Sequence, residues 1–341
     1  MNSPGRDYPD CLCCPGCGSG NLNFAPDRDQ WAACTDCSTR FVRVEGIPFL
    51  VTPDFVDVVR GEASDDFNAT AHRELDARAV MRANVAYHNE FAEDYEHDVS
   101  TYDMFKPGAP SQQRLAATLE EAANVSGGDL LLDICCGTGN VLGAAAGSFD
   151  GRLGIDISVK MMEIARDRGL ATLGADATNI PLAEASVNCV TAFSALHHIV
   201  DYPGVVREMA RVLKPGGTFY SDWDPNSHVT HTGWAVSLAV NTLTALRRAV
   251  SKSRIPETAL QRAAEFHHHS GRGFDAETVA QVLRREGFRE VEVIYHLDPP
   301  SFADTAWWSP YLVLMAALKA ISLIAPRREN ICPWVAVRGI K

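Results

Sequence analysis

A short apolar run followed by two glycines occupies residues 131–140, which read Leu131-Leu132-Asp133-Ile134-Cys135-Cys136-Gly137-Thr138-Gly139-Asn140. Such a run predicts a buried strand that turns sharply into a helix. The glycines let the backbone come close to a ligand, and the first N–H groups of the following helix can bind it. Because a glycine pair of this kind also occurs in ordinary tight turns, its meaning depends on the sequence around it.

Strand and helix patterns alternate on both sides of this turn. Strands are predicted at residues 129–134, 152–157, 171–175, 186–193 and 217–223, and helices at 83–96, up to 124, at 158–168 and at 203–213. After an interruption, a helix at 275–286 and strands at 290–297 and 333–340 follow. This regular spacing predicts an α/β fold with a doubly wound, Rossmann-like sheet of seven strands.

Acidic residues stand at or near the ends of the first three strands: Asp133, Asp156 and Asp176. The carboxyl ends of parallel strands meet at one rim of a sheet, where ligands bind in this architecture, and a carboxylate placed like Asp156 can accept both hydroxyls of a ribose. The dinucleotide fingerprint requires a third glycine where this chain has Leu142, which argues against NAD. Capping could explain any one acid, but the three together indicate a nucleoside site.

Six of the ten cysteines lie within the first 37 residues: Cys11, Cys13, Cys14, Cys17, Cys34 and Cys37. The last four form two CxxC pairs, which can complete a tetrahedral site with four sulfur ligands. A bound metal would supply folding free energy that so short and loop-rich a segment cannot obtain from its core. We expect structural Zn²⁺ on Cys14, Cys17, Cys34 and Cys37. Iron is the chemical alternative, Cys11 or Cys13 could replace a ligand, and free cysteines are the remaining interpretation.

Length and charge limit the functional classes. The 341 residues suit about two domains of roughly 100–200 residues each, and the 46% hydrophobic content excludes a largely disordered chain. We divide the chain into a zinc-ribbon-like domain (1–60), a linker with N-terminal helices (61–125) and a core domain (126–341). The formal net charge of −12 makes non-specific binding to nucleic acid unfavourable.

Neither an export signal nor a membrane span is predicted. The first residues lack a basic segment followed by an apolar run. The longest apolar stretch, 311–325, is interrupted by Lys319 and is shorter than the roughly 20 residues that a membrane crossing needs. We therefore expect a cytoplasmic protein.

The core resembles the class I S-adenosylmethionine-dependent methyltransferases over residues 85–225 and 274–340. Residues 133–140 match that family's first motif, 154–158 with Met161 its second, 176–181 its adenine-side motif and 211–217 its turn into the fifth strand. The resemblance implies S-adenosyl-L-methionine as cofactor, with Asp133 at the methionine end, Asp156 on the ribose and Asp176 on the adenine amino group. The cofactor contacts that it implies are Asp133, Cys135, Gly137, Gly139, Asp156, Ile157, Met161, Asp176, Ala177, Phe193 and Ser194.

Two positions depart from the family pattern. Cys135 stands where the first motif usually has its first glycine, which narrows the loop. Asn188 stands where an aspartate commonly opens the fourth strand. Neither departure removes a cofactor contact on which the expectation of binding depends.

The N-terminal segment resembles the zinc ribbons of ribosomal-RNA guanine methyltransferases and the small zinc-ribbon activators of tRNA methyltransferases. The likeness extends to Phe41-Val42-Arg43-Val44-Glu45-Gly46-Ile47-Pro48-Phe49-Leu50 after the last cysteine. Both groups of relatives suggest RNA. Residues 1–60, however, carry five arginines, no lysine and eight acidic residues, which give a net charge of −3. We therefore expect no RNA-binding surface there.

Two histidines follow the fourth strand, in Ser194-Ala195-Leu196-His197-His198. In the family this rim faces the methyl group, and an imidazole there titrates in a useful range for a general base. His197 and His198 are therefore the candidate catalytic residues, and a structural role for one or both is the alternative. The run at 267–269 is a weaker candidate metal site, and Tyr87 and Tyr95 are cofactor-covering or core aromatics.

Two insertions, 228–270 and 299–331, carry long apolar segments. The resemblance implies that they form a helical lid over the methyl acceptor, which favours an apolar or aromatic small molecule of secondary metabolism. Mutual packing or a homodimer interface is the alternative use of these segments. Peripheral contact with a membrane would suit a lipid-quinone acceptor.

Three functions follow from these patterns. The first is methyl transfer by in-line displacement to a hydrophobic small molecule. The second is an RNA base methyltransferase, for which the ribbon argues and the acidity does not. The third is a non-catalytic protein that binds S-adenosylmethionine or docks a partner. The identity of the acceptor, the attacked atom and the kind of reaction are left open.

Overall fold

The protein is represented by a computed structural model that describes residues 8–24, 30–60, 67, 75–97, 110–227, 258–269, 274–296, 329, 332 and 334–341. The strands are β1 (Leu22–Phe24), β2 (Gln30–Cys34), β3 (Arg40–Val44), β4 (Ile47–Pro48), β5 (Leu130–Ile134), β6 (Gly151–Asp156), β7 (Ala171–Gly174), β8 (Val187–Phe193), β9 (Leu213–Pro225), β10 (Arg289–His296) and β11 (Trp334–Ile340). The α-helices are α1 (Val56–Arg60), α2 (Ala77–Glu90), α3 (Ala92–His97), α4 (Pro110–Ser126), α5 (Asn140–Ala144), α6 (Val159–Asp167), α7 (Tyr202–Val212), α8 (Ala259–Ala264), α9 (Phe266–His269) and α10 (Ala276–Arg285). Short 3-10 turns lie at Pro53–Phe55 and Leu196–His198.

A seven-stranded sheet forms the core, in the order β10-β11-β9-β8-β5-β6-β7. The strands from β9 to β7 pair in parallel, while β11 is antiparallel to both of its neighbours. Helices cover both faces, which is why β5 is apolar almost throughout. Leu131 packs in one core cluster with α4 and α5, and Leu132 in another with α7 and α10. The predicted doubly wound sheet of seven strands is confirmed.

The N-terminal helix differs from the prediction of one helix over 83–96. It begins at Ala77 because Asp76 caps it, accepting a hydrogen bond from the Ala79 N–H at 2.7 Å. It ends at Glu90, and α3 follows as a separate short helix.

The departure at Asn188 has a structural role. Its Nδ2 donates to the Ser126 carbonyl at 2.6 Å, and its Oδ1 accepts from Lys214 Nζ at 2.8 Å. The amide thus joins the end of α4 to the start of β9. An aspartate could not make the first of these bonds, because a carboxylate has no N–H to donate.

The first four strands form a separate antiparallel sheet in the order β1-β2-β3-β4. Trp31 and Phe41 are fully buried in it, and both belong to the same core cluster as Leu182 of the α/β domain. The ribbon therefore shares a hydrophobic core with the domain that follows it.

The ribbon holds both ends of the loop that follows β7. At one end, the Leu50 N–H donates to the Gly174 carbonyl at 2.9 Å, beside a parallel bridge between Phe49 and Gly174. At the other end, Asn179 Nδ2 donates to the Pro15 carbonyl at 3.0 Å, and the Cys13 N–H donates to the Pro181 carbonyl at 2.9 Å. Nothing in the sequence alone predicted this contact.

Several predicted features fall outside the described residues. These are most of the linker, most of the insertion at 228–270 and nearly all of the insertion at 299–331. Of the first insertion, α8 and α9 are described, and α8 packs on α2. In the part of the chain that the structure describes, no helix has both the length and the hydropathy that a membrane crossing requires.

Candidate functional site

The turn after β5 brings the backbone of Gly137 against the side chain of Asp156, which lies at the end of β6. Gly137 lies in the left-handed region (φ 52°), and its N–H donates to Asp156 Oδ2 at 2.8 Å. Gly139 is also left-handed (φ 85°), and a Cβ there would overlap the side chain of Leu170. A side chain at either position would be strained, and at Gly139 it would also have no space.

Asp156 organises the rim by accepting three backbone hydrogen bonds. Besides Gly137, the N–H groups of Ile157 and Ser158 donate to its Oδ1 at 2.7 and 2.8 Å. The carboxylate is 9% exposed and faces the cavity described below. Its position at the end of β6 is the one predicted for a ribose-binding acid.

Asp133 lies deeper, at the end of β5. Thr191 Oγ1 donates to its Oδ1 at 2.6 Å. Burial, with the nearby charge of Asp156, raises the pKa of the Asp133 carboxyl to about 7, although the Thr191 hydrogen bond opposes the shift. Asp133 can therefore change its charge near neutral pH.

Asp176 completes the acidic rim from the loop after β7. Its Oδ1 accepts from the Thr178 N–H at 2.8 Å. Burial raises the pKa of this carboxyl above its ordinary value, partly offset by the Thr178 hydrogen bonds.

One cavity collects almost all of the predicted cofactor contacts. Those that line it are Asp133, Cys135, Gly137, Asp156, Ile157, Met161, Asp176, Ala177, Phe193 and Ser194. Gly139 does not line it, but its left-handed backbone and its close contact with Leu170 shape the turn. Cys135 (φ 53°) and Ser194 (φ 52°) are left-handed without being glycine, so the chain is strained at two strand ends that face the cavity.

The two candidate catalytic histidines occupy different places. His198 lines the cavity, and its Nδ1 lies 2.9 Å from the Ala264 carbonyl. His197 is buried and does not line the cavity; Asp224 Oδ1 lies 3.0 Å from its backbone N and 2.8 Å from its Nδ1. His198 therefore lies where it can contact a ligand in the cavity, whereas His197 binds the turn to the end of β9. Their catalytic roles stay predictions.

The helix α2 contributes cavity residues that the sequence analysis missed. Ala77, Val80, Met81, Asn84 and His88 line the cavity. They stand at positions i, i+3, i+4, i+7 and i+11, which lie on one helical face, and that pattern was the available signal. Tyr87, by contrast, is buried and packs beside Phe91 as a core aromatic.

His267 and Asp222 also have structural partners. His267 is buried, and its Nε2 donates to the Ile199 carbonyl at 2.9 Å. Asp222 binds Tyr220 Oη at 2.5 Å and His296 Nε2 at 2.7 Å. The side chains of Tyr95, His268 and His269 lie outside the described residues.

The four predicted metal ligands form one cluster. The sulfur atoms of Cys14, Cys17, Cys34 and Cys37 all lie within 4.8 Å of one another. The Cys14–Cys37 and Cys17–Cys34 sulfur pairs are 3.6 Å apart, against about 3.8 Å for a tetrahedron with Zn–S bonds of about 2.3 Å. Cys11 and Cys13 are not part of the cluster. The donor set and spacing fit a closed tetrahedral metal site.

A comparison with protein families classifies part of the core domain. Residues 132–221 match the family described as "Methyltransferase domain". These residues are a methyltransferase domain. The matched range begins within β5 and ends within β9, so it contains the glycine turn and all three rim acids.

Relatives of the methyltransferase domain include two curated proteins. Methyltransferase GfsG from Streptomyces halstedii is 35% identical over 149 residues, which cover 41% of this chain and 50% of that protein. A demethylmenaquinone methyltransferase from Staphylococcus epidermidis is 36% identical over 102 residues, which cover 28% of this chain and 42% of that protein. The chain thus spans half or less of the length of these two relatives.

Among solved structures, phosphoethanolamine N-methyltransferase 2 from Haemonchus contortus, in complex with S-adenosyl-L-methionine, aligns with a TM-score of 0.49 and 17% identity. The alignment covers 80% of this chain and 60% of that one.

Proposed function

We propose that this protein is an S-adenosylmethionine-dependent methyltransferase that acts on an apolar or aromatic small molecule. The observation that carries the proposal is the convergence of Asp133, Asp156 and Asp176 on one cavity, around a glycine turn, inside the methyltransferase domain. When bound, S-adenosylmethionine would supply an electrophilic methyl group on a sulfonium.

The residues of the cavity fit that cofactor. Gly137 leaves open space where a side chain would project, so a ligand can approach the backbone there. Asp156 would hold the ribose, Asp133 the methionine end and Asp176, with Ala177, the adenine. The chain's own task is alignment, because positioning can supply roughly 7–11 kcal/mol of the barrier to a displacement.

The small-molecule acceptor is supported by the apolar residues around the candidate base. Val80, Met81, Ile199 and Val200 line the cavity together with His198. The relative from Staphylococcus epidermidis is named for a demethylmenaquinone, which is a small molecule rather than an RNA. The net charge of −12 supports the same choice over RNA.

We further propose structural Zn²⁺ in the four-cysteine cluster, the domain division at residues 60 and 125, and a cytoplasmic protein. These proposals rest on the donor set and on the sequence. The lid insertions at 228–270 and 299–331 would cover the acceptor, and a homodimer through them stays a prediction.

Two measurements test the proposed function. The first is isothermal titration of the metal-loaded protein, freed of co-purified ligand, with S-adenosylhomocysteine; no heat of binding would refute it. The second is transfer of tritiated methyl from S-adenosylmethionine to a metabolite extract and, separately, to total RNA. We expect label in the extract only. Label in RNA would establish the alternative, and binding without transfer would indicate a non-catalytic protein.

A further inference from the structure

Two imidazoles from different parts of the chain meet in the cavity. His88 comes from α2 and His198 from the turn after β8, and both line the cavity. Their ring centroids are 5.3 Å apart, and the rings meet edge to face at 78°. Neither the family match, which covers 132–221, nor the sequence analysis included His88.

Each ring is held by the same kind of bond. His88 Nδ1 lies 2.9 Å from the Asn84 carbonyl, and His198 Nδ1 lies 2.9 Å from the Ala264 carbonyl. A carbonyl oxygen can only accept, so each Nδ1 carries the hydrogen. In the neutral ring the lone pair is then on Nε2, which makes Nε2 the hydrogen-bond acceptor and the basic atom of both residues.

The surroundings keep His88 neutral and in place. Burial lowers the pKa of His88, and the charged groups that oppose this shift are Asp156 and Glu265. Asn84, one turn earlier on α2, is buried, and its Nδ2 lies 3.2 Å from the Ala264 carbonyl and 3.4 Å from the His198 carbonyl. The helix is thereby aligned with the turn that carries the other imidazole.

We propose that His88 and His198 together bind and deprotonate the reacting group of the methyl acceptor, and that this group is a hydroxyl on an aromatic ring. The inference rests on the proposed function and names its acceptor class. Two nitrogens that accept hydrogen bonds suit a hydroxyl, which has a hydrogen to donate and an oxygen lone pair that can attack the methyl carbon. A phenolic hydroxyl, with a pKa of about 10, is also within reach of an imidazole base.

Methyl transfer to such a hydroxyl exchanges a C–S bond for an O–C bond. A lone pair of the hydroxyl oxygen forms the new O–C bond with the methyl carbon, while the C–S bond breaks and its electron pair stays on sulfur. The hydroxyl proton passes to Nε2 of one imidazole and is later released to water. The products are a methyl ether, S-adenosylhomocysteine and one proton.

Sinefungin tests where the two nitrogens point without requiring the acceptor. In this analogue of S-adenosylmethionine, a carbon bearing an ammonium group replaces the methylated sulfonium, so an N–H donor stands near the position of the methyl group. We would measure its dissociation constant and that of S-adenosylhomocysteine by calorimetry. Wild type should prefer sinefungin, because a hydrogen bond with a charged donor is worth about tenfold or more in affinity.

Two pairs of substitutions distinguish the role of Nδ1 from that of Nε2. In H88N and H198N the amide can still donate as Nδ1 does, but no atom replaces Nε2. In H88Q and H198Q the amide oxygen can reach the position of Nε2. We expect the Asn variants to lose the sinefungin preference about tenfold with little change for S-adenosylhomocysteine, and the Gln variants to keep most of it. H267Q is the control, because His267 does not line the cavity and its amide can still donate to Ile199.

Equal loss of both ligands in the Asn variants, or an unchanged preference, would overturn the inference. Failure of wild type to bind S-adenosylhomocysteine would instead refute the proposed function. Long-range ¹H–¹⁵N spectra of the wild-type histidines provide a measurement that needs no variant. They should show the hydrogen on Nδ1 of both rings, and sinefungin should shift both Nε2 resonances; a hydrogen on Nε2 of both rings would contradict the proposal.

The acceptor class has its own test in the labelled metabolite extract. Hot hydriodic acid releases the methyl group of an ether as methyl iodide, while C-methyl groups survive and N-methyl groups require harsher heating. We expect the transferred label to be released as methyl iodide and to survive mild alkaline hydrolysis, which would cleave a methyl ester. Label held on nitrogen or carbon would overturn the hydroxyl assignment.

Discussion

The phenyl ring of Phe49 occupies the space that any side chain at Gly174 would need. A Cβ built on Gly174 would overlap three atoms of the ring. The two residues also pair across a parallel β-bridge at the free edge of β7. The ribbon therefore covers an edge strand of the core sheet and reaches the loop that carries Asp176, and edges left open are sites of unwanted pairing.

G174A should weaken this junction. The added methyl group has no space, so the ring or the strand must move, at a cost of about 1–3 kcal/mol. Chemical denaturation should show a lower free energy of unfolding, and trimming the ring in G174A/F49L should recover part of the loss. G143A is the matched control, because a Cβ at Gly143 meets no atom within 4 Å. Equal stability of G174A and wild type would contradict the close packing.

Metal removal should destabilise the ribbon. Purified protein should contain one zinc per chain by elemental analysis, and C34S should lose it, because three thiolates cannot close the tetrahedron. A strong chelator should lower the melting temperature of wild type towards that of C34S. C11S should keep its metal, since Cys11 lies outside the cluster. Loss of zinc from C11S would favour the alternative pairing, and iron in place of zinc would show in the same analysis.

Asp133 should link stability and cofactor affinity to pH in opposite directions. Its pKa in the folded protein, about 7, exceeds the ordinary value of 3.8, so its contribution to stability is full below pH 3.8 and is lost as the pH rises through 7. D133N, which is always neutral, should be more stable than wild type at pH 8 by at least ~1 kcal/mol and nearly equal at pH 3. A lower melting temperature of D133N at pH 8 would contradict this.

Affinity for S-adenosylhomocysteine should change in the other sense. If Asp133 binds the ammonium of the methionine end, ionised Asp133 binds it better. Wild-type affinity should then rise between pH 6 and 8, and D133N should bind about tenfold more weakly at pH 8 with a flatter pH profile. Titration calorimetry at several pH values measures both. A parallel rise in D133N would assign the pH dependence to another group.

The two neighbouring histidines should respond differently to substitution. His197 and Asp224 are both buried, and burial raises the pKa of the Asp224 carboxyl well above its ordinary value. H197A removes the Nδ1 partner of a buried carboxyl and should cost about 1–3 kcal/mol of stability, because a buried polar group loses its hydrogen bond. H198N, at the cavity wall, should melt within a few degrees of wild type. A stable H197A with impaired methyl transfer would instead support a catalytic role for His197.

The sequence predicted those features that depend on neighbours along the chain. The glycine turn, the acids at successive strand ends and the two CxxC pairs are local patterns with fixed geometric consequences. Parallel strands must place Asp133, Asp156 and Asp176 on one rim, and they line one cavity. The predicted start of α2 was wrong, because apolar periodicity suggested Ala83 whereas the cap at Asp76 begins the helix at Ala77.

The tertiary structure alone decided which remote residues meet. No motif identified His88, because its importance depends on His198, which lies 110 positions later in the chain. The two rings meet only when α2 packs over the rim. His197 and His198 likewise occupy different places because Asp224, near the end of β9, binds His197, whereas His198 lines the cavity. Local sequence determines where a strand ends and which atoms can bind metal. The contacts between distant segments arise from packing, which minimises buried unpaired polar groups and empty space over the whole chain at once.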